Sequence, residues 1–164
     1  MVMDRIRKGL LFTMVAVIGL LLSGCGTGKE ISKLTDVSYR YVNGSAMNAN
    51  CSYSVSLLKG RYVAKIHPID VPEAKTIEIE VDGTVMREIE TLFQKYDVGQ
   101  WNGFKKSDSR VMDGRSFSLY LKMENGESVE ASGYMSWPQN FRDVREGLDT
   151  IFMGIYRKNR PESR

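Results

Sequence analysis

Histidine occurs once and cysteine twice in the 164 residues of this chain, and that scarcity removes most of the chemistry that a short sequence can advertise. A zinc site needs three or four nitrogen, sulfur or carboxylate ligands at recognisable spacing, and no cysteine–histidine cluster is present. HExxH, GxSxG and a glycine-rich phosphate loop ending in lysine are all missing, so none of the motif-bearing hydrolases or nucleotide-binding enzymes is indicated. The single histidine, His67, stands beside Pro68 with no motif around it, and it reads as a surface or internally satisfied residue. Carboxylates are plentiful without converging. Glu78 and Glu80 alternate along one strand, as solvation alone dictates, and Asp108 and Asp113 lack the regular oxygen spacing of a calcium loop. No metal, no cofactor and no catalytic residue is therefore expected. There is no solenoid repeat and no low-complexity tract. Charge of one sign is also lacking: the formal net charge is only +3, too weak a field for binding nucleic acid. Finally, no apolar run reaches the roughly 20 residues that a bilayer-spanning helix needs.

The longest such run, Gly9 to Leu22, is informative because of its flanks. Arg5, Arg7 and Lys8 precede it and small residues close it, the order of an export signal whose basic end stays in the cytoplasm. Leu22-Ser23-Gly24-Cys25 follows at once. These four residues resemble the lipobox of bacterial lipoproteins. The resemblance implies that the Cys25 thiol receives a diacylglyceryl group, that residues 1–24 are removed, and that the protein is held on the outer side of the cell membrane. One acyl chain gives only reversible attachment, whereas two give a durable one. Residues 1–24 carry Arg5, Arg7 and Lys8 against Asp4, or +2 of the net charge, which leaves the mature chain near neutral. With Cys25 committed to lipid, Cys51 has no partner for an intramolecular disulfide. It alternates with Tyr53, Val55 and Leu57, which favours a buried small hydrophobe over a reactive thiol.

Downstream, residues 25–36 read as the lipidated cysteine and a flexible tether, 37–158 as one domain, and 159–164 as a basic disordered tail. Val37, Tyr39 and Tyr41 alternate with polar residues and predict a first strand. Cys51 to Leu57 and Tyr62 to Ile66, around Lys59-Gly60, predict a hairpin, and Thr76 to Val81 a fourth strand. Asp82-Gly83 suits either a tight turn or a helix cap. Val85, Met86, Ile89, Leu92, Phe93 and Tyr96 fall on one helical face, so a helix is expected over 84–96. An irregular polar segment separates it from a second hairpin, Phe117 to Met123 and Val129 to Ala131 around Asn125-Gly126. The last helix carries its apolar set from Phe141 to Tyr156, weakened by Gly147 and Gly154. The expected fold is α+β, in the order β-β-β-β-α-β-β-α, with a mainly antiparallel sheet of about six strands and both helices on one face.

The unusual residues cluster late. Both tryptophans stand at the edges of predicted helices, among aromatic and glycine neighbours, and two readings of them remain open. In one, Trp101, Asn102, Phe104, Tyr134 and Trp137 form a cleft whose indoles stack on a sugar or peptide. In the other, favoured because large aromatics mostly pack in cores, Trp101 and Trp137 plug the ends of the sheet–helix sandwich. The run WNGF, then DGRSFSLYL, then ASG and WPQNF resembles a domain of lipoproteins and secreted proteins of Gram-positive bacteria, over about Thr84 to Phe152. That resemblance implies an envelope-associated α+β domain and brings no activity, ligand or catalytic residue with it. The sequence thus leads to a membrane-anchored extracytoplasmic binding or scaffolding domain that meets the membrane through its lipid and, beyond that, a cell-wall glycan or an envelope protein. The alternative is a cell-wall-active enzyme or an inhibitor of one.

Overall fold

The structure is a computed structural model; it describes residues 28–44, 50–68, 75–108, 110–111 and 113–160. The export signal, Cys25, Pro72, Ser109 and the tail from 161 onward lie outside the described residues.

Among the described residues, seven strands form one sheet: β1 (Leu34–Asn43), β2 (Cys51–Leu58), β3 (Arg61–His67), β4 (Ile77–Val81), β5 (Lys105–Ser107), β6 (Arg115–Met123) and β7 (Ser128–Tyr134). The helices are α1 (Gly83–Lys95) and α2 (Phe141–Asn159), with a 3-10 turn at Val98–Trp101. Strand order is β4-β3-β2-β1-β6-β7-β5, so the long β1 is central and the two hairpins flank it. Every pairing is antiparallel except β5 with β7, which makes the sheet mixed.

That edge strand corrects the expectation of six. Lys105, Lys106 and Ser107 are all exposed and pair through backbone alone, so no alternation of apolar residues announces them. A second correction concerns the start of the domain. β1 begins at Leu34, because a register shift between Leu34 and Asp36 lets Leu34 and Val37 both point inward. A spacing of three breaks the two-residue period, which hides this bulge from a pattern search. Residues 28–33, expected as loose tether, are tied down as well. Lys29 N donates to Gly99 O at 3.1 Å, Lys29 Nζ to Ser128 O at 2.8 Å and Gln94 Nε2 to Ile31 O at 2.8 Å, while Ile31 is buried.

One face of the sheet is dry. Tyr39, Tyr53, Val55, Ala64, Leu119, Leu121 and Val129 meet Met86, Ile89 and Phe93 of α1 and Val144, Leu148 and Phe152 of α2 in a single core. The opposite face exposes Ser38, Arg40, Ser52, Ser118 and Tyr120. Asp82 settles its ambiguity as a helix cap, its Oδ1 accepting from Thr84 N at 2.8 Å, which satisfies one of the orphan amides of α1. Gly147 lies in the contact between the helices: a Cβ there would lie 2.5 Å from Leu92 Cδ1. The glycine that weakens α2 in isolation is thus the one that lets α1 dock on it.

Candidate functional site

The aromatic cluster is real, and the fold divides it into an inside and an outside. Trp101, on the 3-10 turn, is 3% exposed. Its Nε1 donates to Gln139 O at 3.0 Å, and its ring meets Phe117 edge-on and Phe141 at a tilt, with centroids 6.1 and 6.0 Å away. Asn102 is spent on structure, since its Oδ1 accepts from Glu130 N at 3.3 Å. Phe104 is half-buried against Phe117, with Lys106 Nζ 5.3 Å above its ring. Tyr134 Oη donates to Val111 O and accepts from Gly114 N, both at 2.8 Å, and so pins the loop leading into β6. Four of the five candidate residues therefore hold the scaffold.

Trp137 differs. It is 36% exposed, and one side of its indole stacks on Phe141 at 4.6 Å and 23°. Tyr41 lies beside it at 6.3 Å. The segment that carries it is held in a sharp bend: Met135 has a φ of 50°, and Gly133 leaves room for the Ser136 carbonyl where any Cβ would collide. Trp137 is thereby presented at the mouth of an open cleft of about 680 Å³, walled by the ends of β1 and β6 and by the first turns of α2. That volume falls within the range typical of small-molecule sites.

Three arginines line the same cleft: Arg115 from β6, and Arg142 and Arg145 from α2. Arg142 is committed, its Nε lying 2.8 Å from Glu146 Oε1. Arg145 places its guanidinium 4.9 Å from the centre of the Tyr41 ring, a cation–π geometry, and reaches Asp149 Oδ2 only at 3.9 Å. Its Nε is buried without a hydrogen bond. Arg115 is exposed, and its guanidinium has no ion pair among the described residues. The acids on the cleft are Asp113, exposed at the rim, and the paired Glu146.

Beneath the cleft, Asp149 Oδ1 accepts from Tyr53 Oη at 2.9 Å, and Tyr53 also stacks on Phe152 at 4.7 Å. Burial and the neighbouring Asp149 push the Cys51 thiol up to about 12, so at neutral pH it is an inert hydrophobe, as its alternation implied. Burial likewise raises Tyr39 and Tyr53 above the ordinary phenol value.

His67 does not line the cleft; it ends β3, opposite Ser52 of β2, with Nδ1 3.2 Å from Thr76 Oγ1. No group of histidine, cysteine and acidic residues among the described residues has the arrangement of a metal site. The residues that sequence reading missed are Tyr41, Arg115 and Arg145. The available signal was Arg142-x-x-Arg145, one turn of helix directly after WPQNF, which puts both on one face. No family model matches the chain, and no curated protein matches it either.

Proposed function

We propose that this chain is a lipid-anchored extracytoplasmic binding protein: Cys25 carries a diacylglyceryl group, residues 1–24 are removed, and the α+β domain holds a cell-wall glycan in the cleft beside Trp137. The observation that supports this reading is that the latch at Lys29 and Ile31, a few residues after Cys25 in the chain, and the cleft lie toward opposite ends of β1. The latch at Lys29 and Ile31 packs near the Leu34 end, beside Gly99 and Ser128. The cleft opens at the Asn43 end. Ten residues of strand separate the two, about 30 Å at roughly 3.3 Å per residue. Because Gly28 already belongs to the ordered domain, only the chain from Cys25 to Gly28 links lipid to body. Three such steps span at most roughly 11 Å. A domain tied so closely at one end keeps that end against the bilayer and turns the other outward, toward the wall. An exposed indole over a phenylalanine, in a concave site with unspent arginine donors, suits a sugar ring with polar substituents.

Two measurements on one preparation test this. Wild type should incorporate palmitate and fractionate with membranes, and Cys25→Ala should do neither. Full chain in detergent should sediment with purified sacculi, and folded Trp137→Ala should stay in the supernatant. Equal membrane retention by Cys25→Ala would refute the anchor; undiminished sacculus binding by Trp137→Ala would refute the cleft.

A further inference from the structure

The arginines specify the ligand more narrowly than the aromatic platform does. Building on the glycan reading above, we infer that the cleft selects a carboxylate-bearing amino sugar, with Trp137 under the ring and Arg115 and Arg145 on the carboxylate. Among the described residues, only Arg142 of the three guanidinium groups on the cleft has its charge met at hydrogen-bonding distance. Arg145 lies 3.9 Å from Asp149 and against the Tyr41 ring, so it is oriented and half-desolvated while most of its five donors stay open. Arg115, the first residue of β6, lines the same cleft, and its guanidinium has no ion pair among the described residues. Both line the one cleft, where a bound carboxylate would find guanidinium donors, and charge-assisted bonds of this kind are the strong and directional ones.

The acids around these two arginines do not cancel them. Glu146 is paired with Arg142, Asp149 accepts from Tyr53 and meets Arg145 Nε only at 3.9 Å, and Asp113 is exposed. The neutral part of the ligand is set by Trp137, whose exposed surface offers an apolar shelf to the C–H face of a pyranose, with the buried Tyr41 packed beside it as support. A neutral sugar would leave both guanidinium charges without a counter-charge in the ligand. An anion without a ring would leave the shelf bare.

N-acetylmuramic acid and N-acetylglucosamine separate these contributions, because they share ring and acetamido group and differ by a lactyl carboxylate. Full chain in detergent is titrated with each, and the two indole N–H signals are followed by NMR. Trp101, bonded to Gln139 O, serves as the internal reference. The expected result is a shift at Trp137 and not at Trp101, with the acid binding about tenfold or more tighter than the neutral sugar. Arg115→Gln and Arg145→Gln should each remove most of that preference. Arg115, being exposed and without an ion pair among the described residues, is the variant whose fold is safe. Equal affinity for the two sugars would overturn the carboxylate assignment while leaving a neutral glycan site in place. Retention on sacculi with no response to either sugar up to millimolar concentrations would place the glycan reading elsewhere on the domain and refute the inference about this cleft.

Discussion

Replacing each tryptophan by alanine separates core from surface most sharply. Trp101 is almost fully enclosed, packs on two phenylalanines and spends its N–H on Gln139 O. Truncation of a buried tryptophan costs about 3–5 kcal/mol, because the removed ring no longer fills its space and the surrounding side chains close over the cavity only in part. The freed Gln139 carbonyl, on an exposed residue, is rehydrated and adds little. Against a total stability of roughly 5–15 kcal/mol, Trp101→Ala leaves a marginal domain. Trp137→Ala removes a stacked ring and part of one face, about 1–2 kcal/mol. With a urea dependence of about 2 kcal/mol per molar, the first change lowers the unfolding midpoint by about 2 M and the second by less than about 1 M. Far-UV circular dichroism in a urea series gives both midpoints. The chain has no other tryptophan, so Trp137→Ala leaves Trp101 as the sole indole emitter, and under excitation selective for tryptophan it should be blue-shifted and shielded from iodide. Equal midpoints, or a larger loss in Trp137→Ala, would sink the division of the aromatic cluster into inside and outside.

Three further outcomes follow from single residues. The folded domain should resist alkylation at Cys51 at neutral pH and react once unfolded; because burial raises the folded thiol from about 9 to about 12, the unfolded state loses its proton first, and stability should fall as pH rises through that window. The slope is about 1.4 kcal/mol per pH unit for each such group, Tyr39 and Tyr53 steepen it further up, and Cys51→Ala should flatten its first part in an alkaline urea series. Asp82→Ala removes the cap of α1 and should cost about 1 kcal/mol, read as a lower thermal midpoint; an unchanged midpoint would mean that the Thr84 amide is equally well served by water. Gly99→Ala places a methyl where the Lys29 carbonyl lies and should free the latch, so that amide hydrogens at 29–31 exchange quickly while β1 stays protected; persistent protection at Lys29 would contradict the close approach.

How much of this was legible in the sequence depends on how local each feature is. The alternation of Tyr39 and Tyr41, of Cys51 to Leu57 and of Phe117 to Met123 is dictated by the two-residue pleat, and the set from Val85 to Phe93 by the helical turn. A chain with those periods can bury its apolar residues only as strands and helices. The strand Lys105–Ser107 carried no such signal, because its pairing uses backbone groups that every residue has. The bulge at the start of β1 and the docking of residues 28–31 were hidden for related reasons: one breaks the period, and the other rests on single hydrogen bonds to distant carbonyls.

For the candidate site, sequence determined which residue types would gather, and only tertiary structure decided their roles. Trp101 and Trp137 have the same local setting, each among glycines and aromatics at a helix edge, and nothing in their neighbours says which is enclosed. The antiparallel pairing of β1 with β6 sets Tyr41 opposite Phe117 and Asn43 opposite Arg115, and the bend after β7 brings Trp137 over both. Arg145 joins them because α2 crosses the sheet there and lays its guanidinium on Tyr41. The periods along the chain determined the elements, since each residue's burial is set by its near neighbours. The cleft was decided by register and by helix docking, which bring together residues that no local pattern connects.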